Sequence, residues 1–396
     1  MNRPVYMDYA AATPLDPRVV KVMIDCLTLE GSFANPSSKD HVFGWEAAEA
    51  VENAREQVAN LVGCSPLEIT FTSGATESNN LAVIGLARGL RHKGDPRRHI
   101  VTSMVEHKAV LEGCEYLEKY EGYKVSYIKP HQDGSIDPEL LASYLTEDTF
   151  LVSICHGNSV LGTVNDIHAL ALLCKDKGIY FHTDCAQTAG WEKTDFANSA
   201  ISMASLTPEK IYGPKGVGAL YIKREANVPV EALIYGGGQE KGLRGGTVAT
   251  HQVAAMGKAF EIMAKDAKKD KERILKLREY LVNEIKTIDG AVINGSSTRH
   301  LPGIISASFA GIDGRMLLPS LSGIAASTGS ACSSAELKPS YVLKAIGHSD
   351  ELARASIRLS LGRFTTEQEV KQAADELKTK VAALQASGSM WQVRKD

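Results

Sequence analysis

Cysteine is scarce in this 396-residue sequence. There are seven, an odd number, scattered without a Cys-x-x-Cys pair. That argues against a disulfide framework and a cysteine-based zinc site, and it suits a reducing compartment. No apolar run approaches the roughly 20 residues that a membrane-spanning helix requires. The opening residues, Met1 to Tyr6, lack the apolar centre of a secretion signal. One-sided charge is missing too. The 44 Lys and Arg residues stand against 47 Asp and Glu, for a net charge of −3, so no basic field points to nucleic acid or an anionic membrane. The expectation is a cytoplasmic protein with no metal, no nucleic acid and no membrane.

What is present is a chain that is 44% hydrophobic and 23% charged, long enough for two domains. Small residues without helical period fill Met7 to Leu15, which reads as an irregular arm packed closely on something. Phe43 to Leu61 has a helical period, with Trp45, Ala48, Val51, Ala54 and Val58 on one face. Strands and helices then alternate. Strands are expected at Glu68 to Thr72, His99 to Ser103, Lys124 to Ile128, Phe150 to Cys155 and Ile179 to Thr183. Helices are expected at Thr76 to Leu90, His107 to Tyr120, Asp137 to Leu145 and Ile167 to Lys177. This order implies an α/β fold, a mostly parallel sheet flanked by helices. Ala200 to Leu206 and Val217 to Ile222 complete the sheet.

A long helix starts at Thr250, and its charge run Lys265 to Arg273 reads as a solvated face. Strands near Gly303 to Phe309 and Ala355 to Leu361 and a helix from Thr366 to Ala386 suggest a smaller α+β domain. The expected division is 15–262 for the large domain, and 1–14 plus 263–396 for the small one. The tail from Ser387 shows no pattern and reads as frayed.

Chemistry-bearing residues sit at the turns. Lys210, in Thr207-Pro208-Glu209-Lys210-Ile211-Tyr212-Gly213-Pro214, is pinned by prolines and glycines. An amine held this way can be desolvated and attack an aldehyde. Ser73 and Thr76 offer hydroxyls at a helix start, an anion site in outline, although both are ordinary caps as well. Asp184 ends a buried strand, where ligands of open α/β sheets bind. A carboxylate there can hold the protonated nitrogen of a pyridine ring. His107 begins a helix and either caps it, stacks on a ring or moves protons. Cys332 lies among small residues, Ser327 to Ala335. The other six cysteines read as packing, with Cys185 nearest Asp184.

Phe71-Thr72-Ser73-Gly74-Ala75-Thr76-Glu77-Ser78, Glu106-His107-Lys108-Ala109-Val110, Lys210 to Gly216 and Gly236-Gly237-Gly238-Gln239-Glu240 occur in one order along nearly the whole chain. In these segments the sequence resembles the NifS/IscS-like cysteine desulfurases of the class V aminotransferase family, which are fold-type I pyridoxal-phosphate enzymes. The resemblance implies pyridoxal 5′-phosphate bound to Lys210. It implies Asp184 on the ring nitrogen, Gln187 and Ser159 near the phenolic oxygen, and His107 stacked on the ring. Ala75, Thr76 and Thr207 match cofactor contacts at the phosphate end. Thr247 matches a phosphate contact given by the partner subunit of a homodimer. Arg358 matches the arginine that takes the substrate carboxylate, with Asn158 beside the substrate. Cys332 matches the thiol that attacks the sulfur of L-cysteine and carries it as a persulfide. The acceptor would be another protein, such as an iron–sulfur scaffold or a tRNA-thiolation relay.

Two positions depart from the family pattern. Ser159 stands where a second asparagine is usual, and Glu209 stands where a histidine precedes the lysine. A carboxylate near a phosphate is repulsive unless it turns away or takes a proton. Two alternatives therefore stay open on sequence grounds: a selenocysteine lyase or other C–S lyase, and a weakly cofactor-binding sulfur-relay partner.

Overall fold

The computed structural model describes residues 3–328 and 339–393. The main sheet has seven strands: β1 (Ile69–Thr72), β2 (His99–Ser103), β3 (Lys124–Ile128), β4 (Thr149–Ser153), β5 (Tyr180–Asp184), β6 (Met203–Leu206) and β7 (Gly218–Ile222). Their spatial order is β1-β7-β6-β5-β4-β2-β3. Only β7 runs antiparallel, against both its neighbours. Strands β1, β2, β4 and β6 are buried at every residue. Burial on both faces suits the largely apolar β4 and β6, whereas β1, Ile69-Thr70-Phe71-Thr72, alternates apolar residues with threonine although all four are buried. Edge strand β3 starts with exposed Lys124, a charge that discourages pairing with another chain. The mostly parallel α/β sheet expected from the sequence is present.

Helices cover the sheet. α1 (Val42–Val62) ends at Gly63, whose φ of 68° is a left-handed conformation suited to glycine. α2 covers 75–92 with one π turn, Leu81–Gly85, in its middle. α3 is Lys108–Glu121 and α4 is Ile167–Asp176. The buried stripe of α1 is Ala47, Val51, Ala54 and Val58, at helical spacing. Trp45, expected on that face, is 59% exposed and donates its indole N–H to the Lys39 carbonyl. It lies two residues before Ala47 on the helix, which turns it off the stripe.

The long helix α5 (Thr250–Lys286) joins two hydrophobic cores. Val253, Met256, Phe260 and Met263 pack in the first, and Ile274, Leu277, Leu281 and Ile285 in the second. The second core lies against a three-stranded antiparallel sheet, β8 (Ala291–Asn294), β9 (Ile304–Phe309) and β10 (Ser356–Ser360), in the order β10-β9-β8. Helix α6 (Glu367–Val393) packs there through Val370, Ala374, Leu377 and Val381. It runs on past the expected frayed point, because a helix already nucleated by packing propagates at little cost.

The charge run on α5 is not simply solvated. Asp266 pairs with Arg18, Asp270 with Arg363 and Lys271 with Glu192. Arg273 donates to the carbonyls of Gly362, Arg363 and Thr365. The run lies in the crevice between the two cores, so its charges latch neighbouring segments.

One buried group has a pH consequence. Glu106, after β2, is fully buried; its Oε1 accepts the Cys155 N–H at 2.8 Å and its Oε2 has no partner. Burial pushes its carboxyl up to about 8 from the ordinary 4.5, and the nearby Asp184 adds to the rise. The folded chain therefore keeps a proton that the unfolded chain releases. Stability from this group falls as pH rises from about 4.5 to about 8, by up to about 1.4 kcal/mol per pH unit. Glu106→Gln should remove that slope and raise the melting temperature at pH 8 more than at pH 5, as read by calorimetry.

Helix packing gives a second expectation. A Cβ on Gly257 of α5 would lie 2.5 Å from the Ala54 Cα of α1. The two helices thus touch backbone to backbone. Gly257→Val should force them apart and cost about 1–3 kcal/mol, measured as a lowered denaturant midpoint.

Candidate active site

A cavity of about 540 Å³ opens beyond the carboxyl ends of the parallel strands, against β10 of the smaller sheet. Every sequence-selected site residue among the described residues except Thr247 lines it. Ala75 and Thr76 come from the start of α2, His107 from the start of α3, and Asn158 and Ser159 from the turn after β4. Asp184 and Gln187 follow from β5, Thr207 and Lys210 from the β6–β7 connection, and Arg358 from β10. Thr247 is exposed and outside the lining. Cys332 lies outside the described residues.

The Lys210 loop is held from three directions. Thr13, on the N-terminal arm, donates its N–H (3.0 Å) and its hydroxyl (2.9 Å) to the Glu209 carbonyl. Thr13 Oγ1 also accepts the Tyr212 N–H at 2.8 Å. Tyr212 has a φ of 68°, unusual for a bulky residue. Its ring is buried under the Arg363 guanidinium, 4.3 Å from the centroid, and its hydroxyl accepts the Arg363 N–H. Lys210 itself stays half-buried, its Nζ donating to the Ala11 carbonyl and lying 3.0 Å from Glu209 Oε1. The close-packing arm expected from the sequence is therefore the latch of this loop.

Asp184 is buried and oriented by two bonds. Its Oδ2 accepts from Asn79 Nδ2 at 2.7 Å, and its Oδ1 accepts the Ala186 N–H at 2.8 Å. His182, on the same strand, bonds Ser153 and Ser205 at its two ring nitrogens, and burial lowers it to about 4, which keeps it neutral. The Asn79 support is missed by sequence reasoning. Its position one helical turn after Thr76 is the signal that could have found it.

The other end of the cavity is made for an anion. No side chain caps the first turn of α2, so its N–H groups face outward with the Thr76 and Thr207 hydroxyls close by. A Cβ on Gly218 of β7 would sit 2.6 Å from the Gly74 carbonyl carbon, so only glycine lets the strand approach this turn. Glu77 faces the turn too, but it is committed: its Oε2 accepts the Ser73 N–H and its Oε1 pairs with Arg244. His107 Nδ1 accepts the Ala109 N–H at 3.1 Å, so the residue caps α3 while its ring lines the cavity. Gln187 Nε2 donates to the Ala10 carbonyl.

At the β10 wall, Arg358 is buried and donates to the Ser159 carbonyl and to Asp8. Asn158 builds the turn that presents Ser159. Its Nδ2 donates to the Val105 carbonyl, and its Oδ1 accepts the N–H groups of Val160 and Leu161.

Among the described cysteines, Cys155 and not Cys185 reaches the cavity. Cys185 is fully buried beside His156. Burial raises all six described thiols: Cys64, Cys174 and Cys185 are pushed up to about 12, and Cys155 rises well above its ordinary range. Thiols held this way are poor nucleophiles. Among the described residues no cluster of His, Cys, Asp and Glu is placed to hold a metal, and no helix is long and apolar enough to cross a membrane.

The donor set fits pyridoxal phosphate: an amine for the aldehyde, an oriented carboxylate for the ring nitrogen, and N–H and hydroxyl donors for the phosphate. Comparison with known proteins points the same way. The aminotransferase class-V model matches residues 5–373. The cysteine desulfurase IscS of Pseudomonas syringae pv. tomato is 48% identical over 396 residues, covering 100% of this chain and 97% of the relative. The cysteine desulfurase IscS of Azotobacter vinelandii has the same identity and coverage. Among solved structures, a NifS-like protein superposes with a TM-score of 0.88 at 36% identity, covering 96% of this chain and 100% of its own. SspA in complex with cysteine gives 0.80 at 37% identity, covering 91% and 99%. A family match over nearly the full chain, on a cavity built this way, shows that the protein belongs to the class-V aminotransferases, enzymes that work with pyridoxal phosphate.

Proposed function

We propose that this chain is a cysteine desulfurase, converting L-cysteine to L-alanine and retaining the sulfur as a persulfide on Cys332. The observation that carries this reading is the convergence of the Lys210 amine, the Asp184 carboxylate and the Arg358 guanidinium on one cavity, in a chain 48% identical end to end to such enzymes. SspA, which binds cysteine in its solved structure, supports the choice of substrate.

Pyridoxal phosphate, when bound, supplies an electron-poor ring that takes up an electron pair from the substrate carbon skeleton. The chain's own residues do the rest. Thr76, Thr207 and the open first turn of α2, from Ala75 onward, would hold the phosphate. Asp184 keeps a proton on the ring nitrogen and is itself aimed by Asn79. His107 walls one face, and its occupied Nδ1 leaves Nε2 to carry a proton. Gln187 and Ser159, both in the cavity lining, would hold the ring's phenolic oxygen. Arg358 takes the substrate carboxylate, beside Asn158, in the planar fork that suits a carboxylate. Lys210 moves a proton between substrate atoms. The Cys332 thiolate attacks the substrate sulfur; the new S–S bond forms as the C–S bond breaks, and the carbon left behind takes a proton to become the methyl group of alanine.

A homodimer belongs to the same reading. Thr247 is exposed and outside its own chain's cavity, as a residue donated to a partner's phosphate site must be. Leu29, Phe33, Trp45 and Tyr235 leave apolar surface for a second copy to cover. We also place in this proposal the division into 15–262 and 1–14 plus 263–396, a cytoplasmic location, and an acceptor protein for the persulfide such as an iron–sulfur scaffold or a tRNA-thiolation relay.

The test is spectroscopic and kinetic. The purified protein should show a visible absorption band that Lys210→Ala abolishes. Cys332→Ala should keep the band and lose alanine and sulfide release by roughly 10²-fold or more. Unchanged turnover in Cys332→Ala would remove that thiol from the reaction, and a colourless parent that takes up no cofactor would end the reading.

A further inference from the structure

Arg358 is 4% exposed, yet its guanidinium is only partly used. Nη1 donates to the Ser159 carbonyl at 2.9 Å and Nη2 donates to Asp8 Oδ1 at 2.8 Å, while the buried Nε has no partner. Asp8 arrives from 350 residues away in sequence. It is fixed on both sides: the Ser360 N–H donates to the Met7 carbonyl at 2.7 Å, and the Ala10 N–H donates to Ser360 Oγ at 2.8 Å. The arm thus lies along β10 and cannot carry the carboxylate away without breaking these bonds.

A guanidinium carries one positive charge, and here a carboxylate of the same chain already neutralises it. We propose that Asp8 is a positioning residue that holds Arg358 and sets the ligand selectivity of the site by competing, with its own carboxylate, for that cation. The inference rests on the reading above in placing the substrate carboxylate at Arg358. Two carboxylates on one guanidinium repel each other, and partial burial keeps that repulsion from being screened. A simple carboxylic acid brings a full negative charge to the pair and is disfavoured. An amino acid brings an ammonium with its carboxylate, adds no net charge, and is penalised less. Two of the five guanidinium N–H groups are used, so the Nε hydrogen and the second hydrogens of Nη1 and Nη2 remain for the incoming group.

Asp8→Asn separates charge from shape, because the amide oxygen can still accept from Nη2. The holoenzyme, its Asp8→Asn variant and an Asp8→Glu variant are titrated calorimetrically with 3-mercaptopropionate, which has the carboxylate and thiol of cysteine but no amine. Cysteamine, which lacks the carboxylate, is the control, and KM and kcat for L-cysteine are measured alongside. Asp8→Asn should bind 3-mercaptopropionate about tenfold tighter and lower KM for cysteine by a smaller factor. The value of kcat should stay within about twofold and cysteamine binding should not change. Asp8→Glu should resemble the parent. Unchanged or weaker 3-mercaptopropionate binding in Asp8→Asn, an equal gain for cysteamine, or an Asp8→Glu protein that behaves like Asp8→Asn would each overturn the proposal. If the desulfurase reading fails instead, the parent turns over no cysteine, while the calorimetric difference between parent and Asp8→Asn persists.

Discussion

The site depends on a backbone that cannot move beneath Lys210. A flexible lysine would spend its time in water, where it is solvated and far from any ligand. Here the loop is locked through Tyr212, whose left-handed backbone costs on the order of 1–3 kcal/mol and persists only because its surroundings over-determine it. The Arg363 guanidinium lies on its ring and pairs with Asp16 (2.8 Å) and Asp270 (2.7 Å). Asp16 belongs to the N-terminal arm, Asp270 to the middle of α5, and Arg363 to the segment after β10. Asp16 is held down to about 2, chiefly by its hydrogen bond to Arg18. One buried cluster therefore ties both cores to the lysine loop.

The same arm serves the other end of the cavity. Thr13 latches the Glu209 carbonyl, Ala11 accepts from Lys210, Ala10 accepts from Gln187, and Asp8 meets Arg358. Small residues from Ala10 to Ala12 let the arm pass close to both walls, which is why a stretch with no helical period contributes so much backbone to the site. The lysine and the arginine belong to different sheets, so their spacing is set by an arm that bonds to both.

The fold was legible where burial made composition speak. Strands β4 and β6 read as largely apolar segments, and the helices between the strands kept their period. Long-range pairing was harder to see. That β7 inserts antiparallel between β1 and β6 follows from registry across the sheet, such as Thr72 opposite Gly218, and nothing local in 217–222 encodes its direction. Trp45 misled because aromatic residues raise an apolar period wherever they stand, and the α5 charge run misled because ion pairs carry no period at all. Within the site, Lys210, Asp184, Thr76 and Arg358 were readable from turn chemistry and motif resemblance. Asp8, Asn79 and Arg363 act on them from distant positions and left only weak local traces. Cys155 was overlooked in favour of Cys185 because chain proximity to Asp184 is not spatial access: the turn after β5 carries Cys185 back into the core.

Glu209 is where the chain departs most from its family's pattern, and the geometry gives it a partner. Sequence reasoning sets a carboxylate near a phosphate, which is repulsive unless the carboxylate turns away or takes a proton. In the fold its Oε1 lies 3.0 Å from Lys210 Nζ, with the side chain 30% exposed. A carboxylate with a cation on hand and partial access to water bears far less of that repulsion than one buried alone. The anion end of the cavity is supplied by α2 and by the Thr76 and Thr207 hydroxyls, groups that do not depend on residue 209. The substitution therefore places a carboxylate beside the lysine amine, while the Thr76 and Thr207 side chains keep their places in the cavity lining.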